Sequence, residues 1–208
     1  MTQDQKPITW EELPEYFSTV AADVLSFCEP AEGVWVDLGS GSGGVGLALA
    51  ERSESIVILA DPDSDALAAA REAARRRGLT DRVRAIVGRA ESLPLLDASV
   101  DLVVSRGSFF FWEDKAKGLR EVYRILRPAG VAMIGGGVGS GYPDWAREEF
   151  VRLRVGGVKR QGEEALARFR EARSPETFKR LASEAGLPNL RLELELLGIW
   201  LIFRKDAP

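Results

Sequence analysis

Histidine is missing from all 208 residues of the chain. That absence excludes histidine–cysteine zinc sites, Ser-His-Asp triads and any imidazole base. Cysteine occurs once, as Cys28, and one thiol forms no internal disulfide, which suits a reducing compartment. Cys28 follows Val20, Val24, Leu25 and Phe27 in an apolar pattern, so it reads as a small core residue rather than a reactive thiol. Positive charge is not in excess: 28 Lys and Arg stand against 32 Asp and Glu, a net charge of −4. No cationic field is there to draw nucleic acid or anionic lipid. No apolar run approaches the roughly 20 residues that cross a bilayer. Residues 1–30 carry acids and no long apolar stretch, unlike a secretory signal. These shortages predict a soluble, cytoplasmic protein without nucleic-acid or membrane partners. They say nothing of oligomeric state.

The 45% of hydrophobic residues supply one domain, 1–208, with a sizeable core. An amphipathic helix is expected over residues 9–28, within an N-terminal helical segment at 1–30. Short apolar strands are expected at 34–38, 55–60, 82–87, 99–105 and 131–134. Helices at 44–52, 63–77 and 114–126 alternate with them; Gly78 closes the second and Arg127-Pro128 stops the third. Strands apolar on both faces that alternate with helices imply a parallel sheet covered on both sides. Residues 31–137 form this core, and 138–174 read as a helical insertion able to act as a lid, with 135–141 (GGGVGSG) as its hinge. In 144–173 basic and acidic residues nearly balance, the composition of a solvated helical face. Residues 175–208 supply a helix ended by Gly186, then the alternating run 190–196 and its hairpin partner IWLIF beyond Gly198.

The stretch VDLGSGSGGVG at 36–46 joins the first strand to the first core helix. Gly39, Gly41 and Gly44 fit the dinucleotide pattern G-x-G-x-x-G, and Gly39, Gly41 and Gly43 fit the G-x-G-x-G of S-adenosylmethionine enzymes. Both need glycines for close backbone approach and a helix N-terminus for its N–H groups. Asp61, closing the second strand, would bind ribose hydroxyls in either case. Asp37 separates the readings. A carboxylate beside the loop repels a pyrophosphate but suits a sulfonium and an ammonium, acting directly or by holding loop amides. None of Tyr16, Tyr123 and Tyr142 has a lysine four residues on, so the Tyr-x-x-x-Lys pair of short-chain dehydrogenases is missing.

Together VDLGSGSG, ILADPD, AESLPLLDASVDLVVS and EVYRILRPAG, in order over residues 34–134, resemble the class I S-adenosylmethionine-dependent methyltransferases. The resemblance is nearest to the small-molecule family that includes the ubiquinone and menaquinone C-methyltransferases, and the run SRGSFFFWED followed by GGG is similar to one of its subgroups. It implies a single-domain, Rossmann-like, doubly wound α/β fold with a seven-stranded sheet in the order 3-2-1-4-5-7-6, strand 7 antiparallel. It implies S-adenosyl-L-methionine as cofactor and S-adenosyl-L-homocysteine as product. Carried over by position, Gly39, Ser40 and Gly41 would pass beneath the methionine part, beside Asp37. Asp61 would take the ribose hydroxyls, with Pro62 and the Leu93 region flanking adenine. The family commonly has Gly-Asp-Ala where this chain has Gly88-Arg89-Ala90-Glu91; arginine accepts no hydrogen bond, which leaves Glu91 or a backbone carbonyl for the adenine amino group. Ala90 and Ser105 complete the candidate cofactor set.

For the acceptor, Arg106 lies at the carboxyl edge of the sheet and Phe109, Phe110, Phe111 and Trp112 follow in a connection expected to be a loop, too many consecutive aromatics for one element to bury. Arg106 with Phe110, Phe111 and Trp112 would suit a small molecule with a planar or apolar part and an anionic group. Arg106 is open to two other readings: a partner for the cofactor's carboxylate, or a surface arginine paired with Glu113 or Asp114. Strand four ends in Ser-Arg-Gly-Ser rather than the Asn/Asp-Pro-Pro-aromatic run used on amide nitrogens, and no acid follows Val104 to hold magnesium. No metal is expected. Methyl transfer driven by proximity and alignment is the leading reading, with Glu113, Asp114, Tyr16 and Tyr142 as candidate bases and no catalytic residue singled out. An NAD-linked oxidoreductase and a non-catalytic S-adenosylmethionine-binding protein are the alternatives.

Overall fold

The computed structural model describes residues 8–194 and 198–207. Its sheet has seven strands: β1 (Val34–Leu38), β2 (Ile56–Asp61), β3 (Val83–Val87), β4 (Val100–Arg106), β5 (Leu126–Gly136), β6 (Leu190–Leu194) and β7 (Ile199–Arg204). They lie in the order β3-β2-β1-β4-β5-β7-β6. The five strands of the core are parallel, and β7 runs antiparallel to both β5 and β6. Residues 195 and 196 of the alternating run lie outside the described residues.

Side chains alternate across each strand, and the alternation sorts the core into two layers. Trp35, Leu102, Val104 and Met133 pack on one face with α1 (Phe17–Cys28), α2 (Gly44–Ala50) and α3 (Ser64–Arg76). Val36, Val103, Ala132, Ile134 and Phe203 pack on the other, with α4 (Lys115–Ile125) and α7 (Pro175–Ala185). Cys28 is fully buried in the first layer, where desolvation pushes its thiol up to about 12. Two further helices, α5 (Asp144–Lys159) and α6 (Glu163–Glu171), stand apart; α5 joins the body through a small cluster of Val138, Tyr142 and Ala146 with Leu13, Tyr16 and Phe150.

Three expectations need correction. The helix over 9–28 is broken by Pro14: a 3-10 turn covers Trp10–Glu12, Leu13 is extended at ψ 140°, and α1 begins only at Phe17. Strand β5 is longer than 131–134, because extended backbone resumes at Leu126 and carries Arg127-Pro128 as a strand irregularity with Ala129 at φ +64°. The aromatic run is not a plain loop but a 3-10 helix over Ser108–Phe111.

The glycine run at 135–141 is pinned to its neighbours. A Cβ on Gly135 would strike the Ile199 carbonyl of β7, and one on Gly139 would strike Thr19 of α1. Buried Asp23 also accepts from the Ser140 amide and hydroxyl, both at 2.6 Å. Those glycines serve close approach to β7 and α1.

Candidate active site

The loop leaving β1 turns on Gly39, Gly41 and Gly43, at φ +71°, +53° and +86°, values that side chains on L residues rarely tolerate. The amides of Gly39 and Ser40 donate to the Ala60 carbonyl at 2.7 and 3.2 Å, so the loop is tied to the end of β2. That same strand end presents Asp61, nine-tenths buried, whose carboxylate accepts from the Gly41 amide at 2.8 Å and the Asp63 amide at 2.9 Å. Nothing lies within 4 Å of where a Cβ on Gly41 would stand, so the backbone there is open to a ligand. Ser40 Oγ is buried beside it and makes no hydrogen bond among the described residues.

Asp37 lines neither of the cavities described below. Period-two alternation puts it on the same face as Trp35, where its carboxylate accepts from the Gly46 amide of α2 at 2.7 Å. Burial raises its pKa to about 7; the Gly46 bond opposes the rise, and the charge of Asp61 adds to it. Of the two roles expected for Asp37, holding backbone amides matches this position.

Ser108 connects the glycine loop to the aromatic turn. Its hydroxyl donates to the Leu38 carbonyl at 2.9 Å and accepts from Ser105 Oγ at 2.6 Å and Trp112 Nε1 at 3.2 Å. One donor and two acceptors exhaust the capacity of a hydroxyl. Ser105 is thereby fully buried beneath the site rather than lining it. Phe109 and Trp112 turn into the core, stacked edge-on at 5.1 Å, whereas Phe111 is 80% exposed.

Two cavities flank this junction. The smaller, about 160 Å³, is lined by Leu38, Asp61, Pro62, Ala90, Glu91 and Trp112 among others. The larger, about 500 Å³, lies between the sheet edge and helices α5 and α6, with Tyr16, Arg106 and Phe110 in its wall. Gly39, Ser108 and Phe111 line both. Trp112, expected with the acceptor, lines only the smaller cavity, because its indole turns back to Ser108.

Arg106 Nε donates to the Gly137 carbonyl and its Nη1 to Tyr16 Oη, both at 2.9 Å, while the guanidinium lies 4.1 Å over the Tyr16 ring. Glu113 pairs instead with Arg89, and Asp114 caps α4 by accepting from the Lys117 amide. Glu91 accepts from the amides of Glu113 and Asp114 at 2.8 and 3.2 Å. Of the four candidate bases, Tyr16 lines the larger cavity and Glu113 the smaller; the Tyr142 hydroxyl is committed to the Pro14 carbonyl at 2.8 Å.

A methyltransferase-domain family model matches residues 36–134, the span from the glycine loop to β5. A candidate S-adenosyl-L-methionine-dependent methyltransferase from Methanococcus maripaludis has a TM-score of 0.79 at 29% identity, over 93% of this chain and 86% of that one. This chain carries a class I methyltransferase domain. The rice 2-methyl-6-phytyl-1,4-hydroquinone methyltransferase 1 (Oryza sativa subsp. japonica) is 42% identical over 67 residues, 32% of this chain and 20% of that protein. The ubiquinone/menaquinone biosynthesis C-methyltransferase UbiE of Pectobacterium atrosepticum is 35% identical over 78 residues, 38% of this chain and 31% of that protein. The matched part of the methyltransferase domain therefore spans less than a third of those relatives' lengths.

S-Adenosyl-L-methionine is the cofactor of this class, and the residues present fit it. Asp61 offers a buried acceptor for a diol, and the slot between Pro62, Ala90 and Trp112 suits a flat base. The open backbone at Gly41 and the unpartnered Ser40 hydroxyl suit a polar chain. Several residues of the domain had no local sequence signal: Trp10, Phe150, Arg154, Phe169 and Arg173 reach the larger cavity from distant helices. Ser108 was legible only as the serine opening an aromatic run.

Proposed function

We propose that the chain transfers a methyl group from S-adenosylmethionine to a small molecule bound in the larger cavity. The carrying observation is that the two cavities share the wall made by Gly39, Ser108 and Phe111, so a ligand in one abuts a ligand in the other. Bound S-adenosylmethionine would supply an electrophilic methyl on a sulfonium, open to in-line attack by a nucleophilic atom of the acceptor, with a neutral thioether as the leaving group.

The chain's own residues bind and align. Asp61 accepts the ribose hydroxyls, already oriented by the amides of Gly41 and Asp63. Pro62, Ala90 and Trp112 enclose the base, and the backbone from Gly39 to Gly41 carries the methionine part. Glu91 shapes the far end of that cleft while its carboxylate holds the 113–114 amides. Arg106 fixes the Tyr16 hydroxyl at the wall of the larger cavity, where its O–H can donate to a polar atom of the acceptor. Helices α5 and α6 contribute Arg147, Phe150, Arg154 and Phe169 to the wall of the larger cavity. Proximity supplies most of the acceleration. The single buried cysteine supports a cytoplasmic setting.

Calorimetry with S-adenosylhomocysteine and NAD tests the cofactor, and transfer of a tritiated methyl group to a metabolite library tests the chemistry. Binding of NAD in preference to S-adenosylhomocysteine would overturn the reading. Cofactor binding without transfer to any acceptor would favour a non-catalytic binding protein.

A further inference from the structure

The chain has four more acids than bases, yet among the described residues the larger cavity is lined by four arginines and no carboxylate: Arg106, Arg147, Arg154 and Arg173. Two of them are engaged in holding the fold. Arg106 bonds Gly137 and Tyr16, and Arg147 Nη2 donates to the carbonyls of Gly139, Ser140 and Tyr142 at 2.8, 3.0 and 3.1 Å.

Arg154 of α5 and Arg173, just beyond α6, differ. Neither has a carboxylate partner among the described residues. Arg173 lies 3.8 Å from the ring centres of both Phe110 and Phe169, and among the described residues its guanidinium makes one hydrogen bond, a 3.3 Å contact to the Phe169 carbonyl. Arg154 approaches the same Phe169 ring at 5.8 Å. Two cations thus converge on one aromatic wall. Desolvation, and then the charge of Arg154, lower the Arg173 pKa to about 10, which leaves it charged at neutral pH and short of a counter-charge. A guanidinium stacked on rings keeps its in-plane N–H groups for a planar or tetrahedral oxyanion.

We propose that Arg154 and Arg173 are the anion-recognition pair of the acceptor site, selecting an apolar molecule that bears a carboxylate or phosphate. The apolar body rests on Phe110 and Phe169, and the anion sits between the two guanidinium groups. This rests on the larger cavity being the acceptor site. It moves anion recognition from Arg106 to the helical cover.

The test uses the full chain saturated with S-adenosylhomocysteine and three probes: 1-naphthaleneacetate, 1-naphthyl phosphate and the neutral 1-naphthaleneacetamide. Calorimetry should show at least one anion binding tenfold or more tighter than the amide. Arg173→Gln and Arg154→Gln should each remove that preference while S-adenosylhomocysteine affinity stays within twofold, which also verifies folding. Equal affinity for acid and amide, no binding of either anion at millimolar concentration, or an unchanged preference in Arg154→Gln, the more exposed of the two, would overturn the proposal. A fall in S-adenosylhomocysteine affinity in both variants would assign the pair to the cofactor's carboxylate and overturn it equally. Failure of the methyltransferase reading looks different: the anion preference persists while S-adenosylhomocysteine does not bind.

Discussion

Gly39 leaves no room for a side chain beside Ser108: a Cβ there would fall well inside contact distance of the Ser108 Cβ and Oγ. The same glycine stands at φ +71°. Glycine is therefore required twice at this point, by conformation and by the neighbour. Gly39→Ala should separate the loop from the aromatic turn and lower cofactor affinity by tenfold or more, read by calorimetry on protein whose fold is verified by circular dichroism. Unchanged affinity would mean that the loop can shift away from Ser108 without consequence.

Ser108→Ala removes the donor to Leu38 and the acceptor for Ser105 and Trp112. The polar atoms left behind are largely buried, so a loss of about 1–3 kcal/mol is expected in urea denaturation. A midpoint equal to that of the unmodified protein would refute the connecting role.

Asp61→Ala should weaken S-adenosylmethionine binding by about 2–4 kcal/mol, since ribose hydroxyls would lose a charged acceptor and Gly41 a partner. Asp61→Asn keeps one carbonyl acceptor and should recover part of the loss. Affinity within twofold of the unmodified protein for the alanine variant would move the ribose site elsewhere.

Asp37 makes apo-protein stability depend on pH. Its folded pKa, about 7, is above its ordinary 3.8, so the folded state holds this proton more tightly than the unfolded state. The stabilisation from that proton is complete below pH 4 and is lost as pH rises through 7. Asp37→Asn, permanently neutral, should flatten this component: the stability difference between variant and unmodified protein should shift in the variant's favour between pH 5 and pH 8. A difference that does not vary with pH would show that Asp37 is not buried as an acid.

Cys28 should be inert in the native state. With the thiol pushed up to about 12, only about one in ten thousand is ionised at pH 8, and the side chain has no exposed surface. Labelling by a thiol-specific disulfide reagent should require denaturant. Rapid stoichiometric labelling of the folded protein would contradict its place in the core.

Local pattern carried most of this architecture. Val34–Leu38 is a strand because an apolar run meets a glycine turn, and both features lie within a few residues. Pro14 interrupts an otherwise amphipathic stretch, and its missing amide hydrogen is as legible as any motif. The cofactor loop could be read because its glycines and acids are contiguous or end adjacent strands. The acceptor side could not. Arg154 and Arg173 look like members of a solvated, charge-balanced helix, and only the tertiary fold turns Arg173 toward Phe110, 63 positions before it in the chain, and Arg154 toward Phe169. The inward placement of Asp37 was implicit in alternation from Trp35, whereas the capture of Ser105 by Ser108 needed the turn geometry.

The indole of Trp112 gives the molecule a built-in optical readout. Trp112 lines the smaller cleft but not the larger cavity, and its Nε1 is bonded to the hydroxyl that also holds the end of β1. Occupancy of that cleft changes the polarity around this chromophore, while Trp35 and Trp200 stay sealed in the interior and the exposed Trp10 and Trp145 lie outside that cleft. Emission from the native protein can therefore count filled cofactor sites without any label.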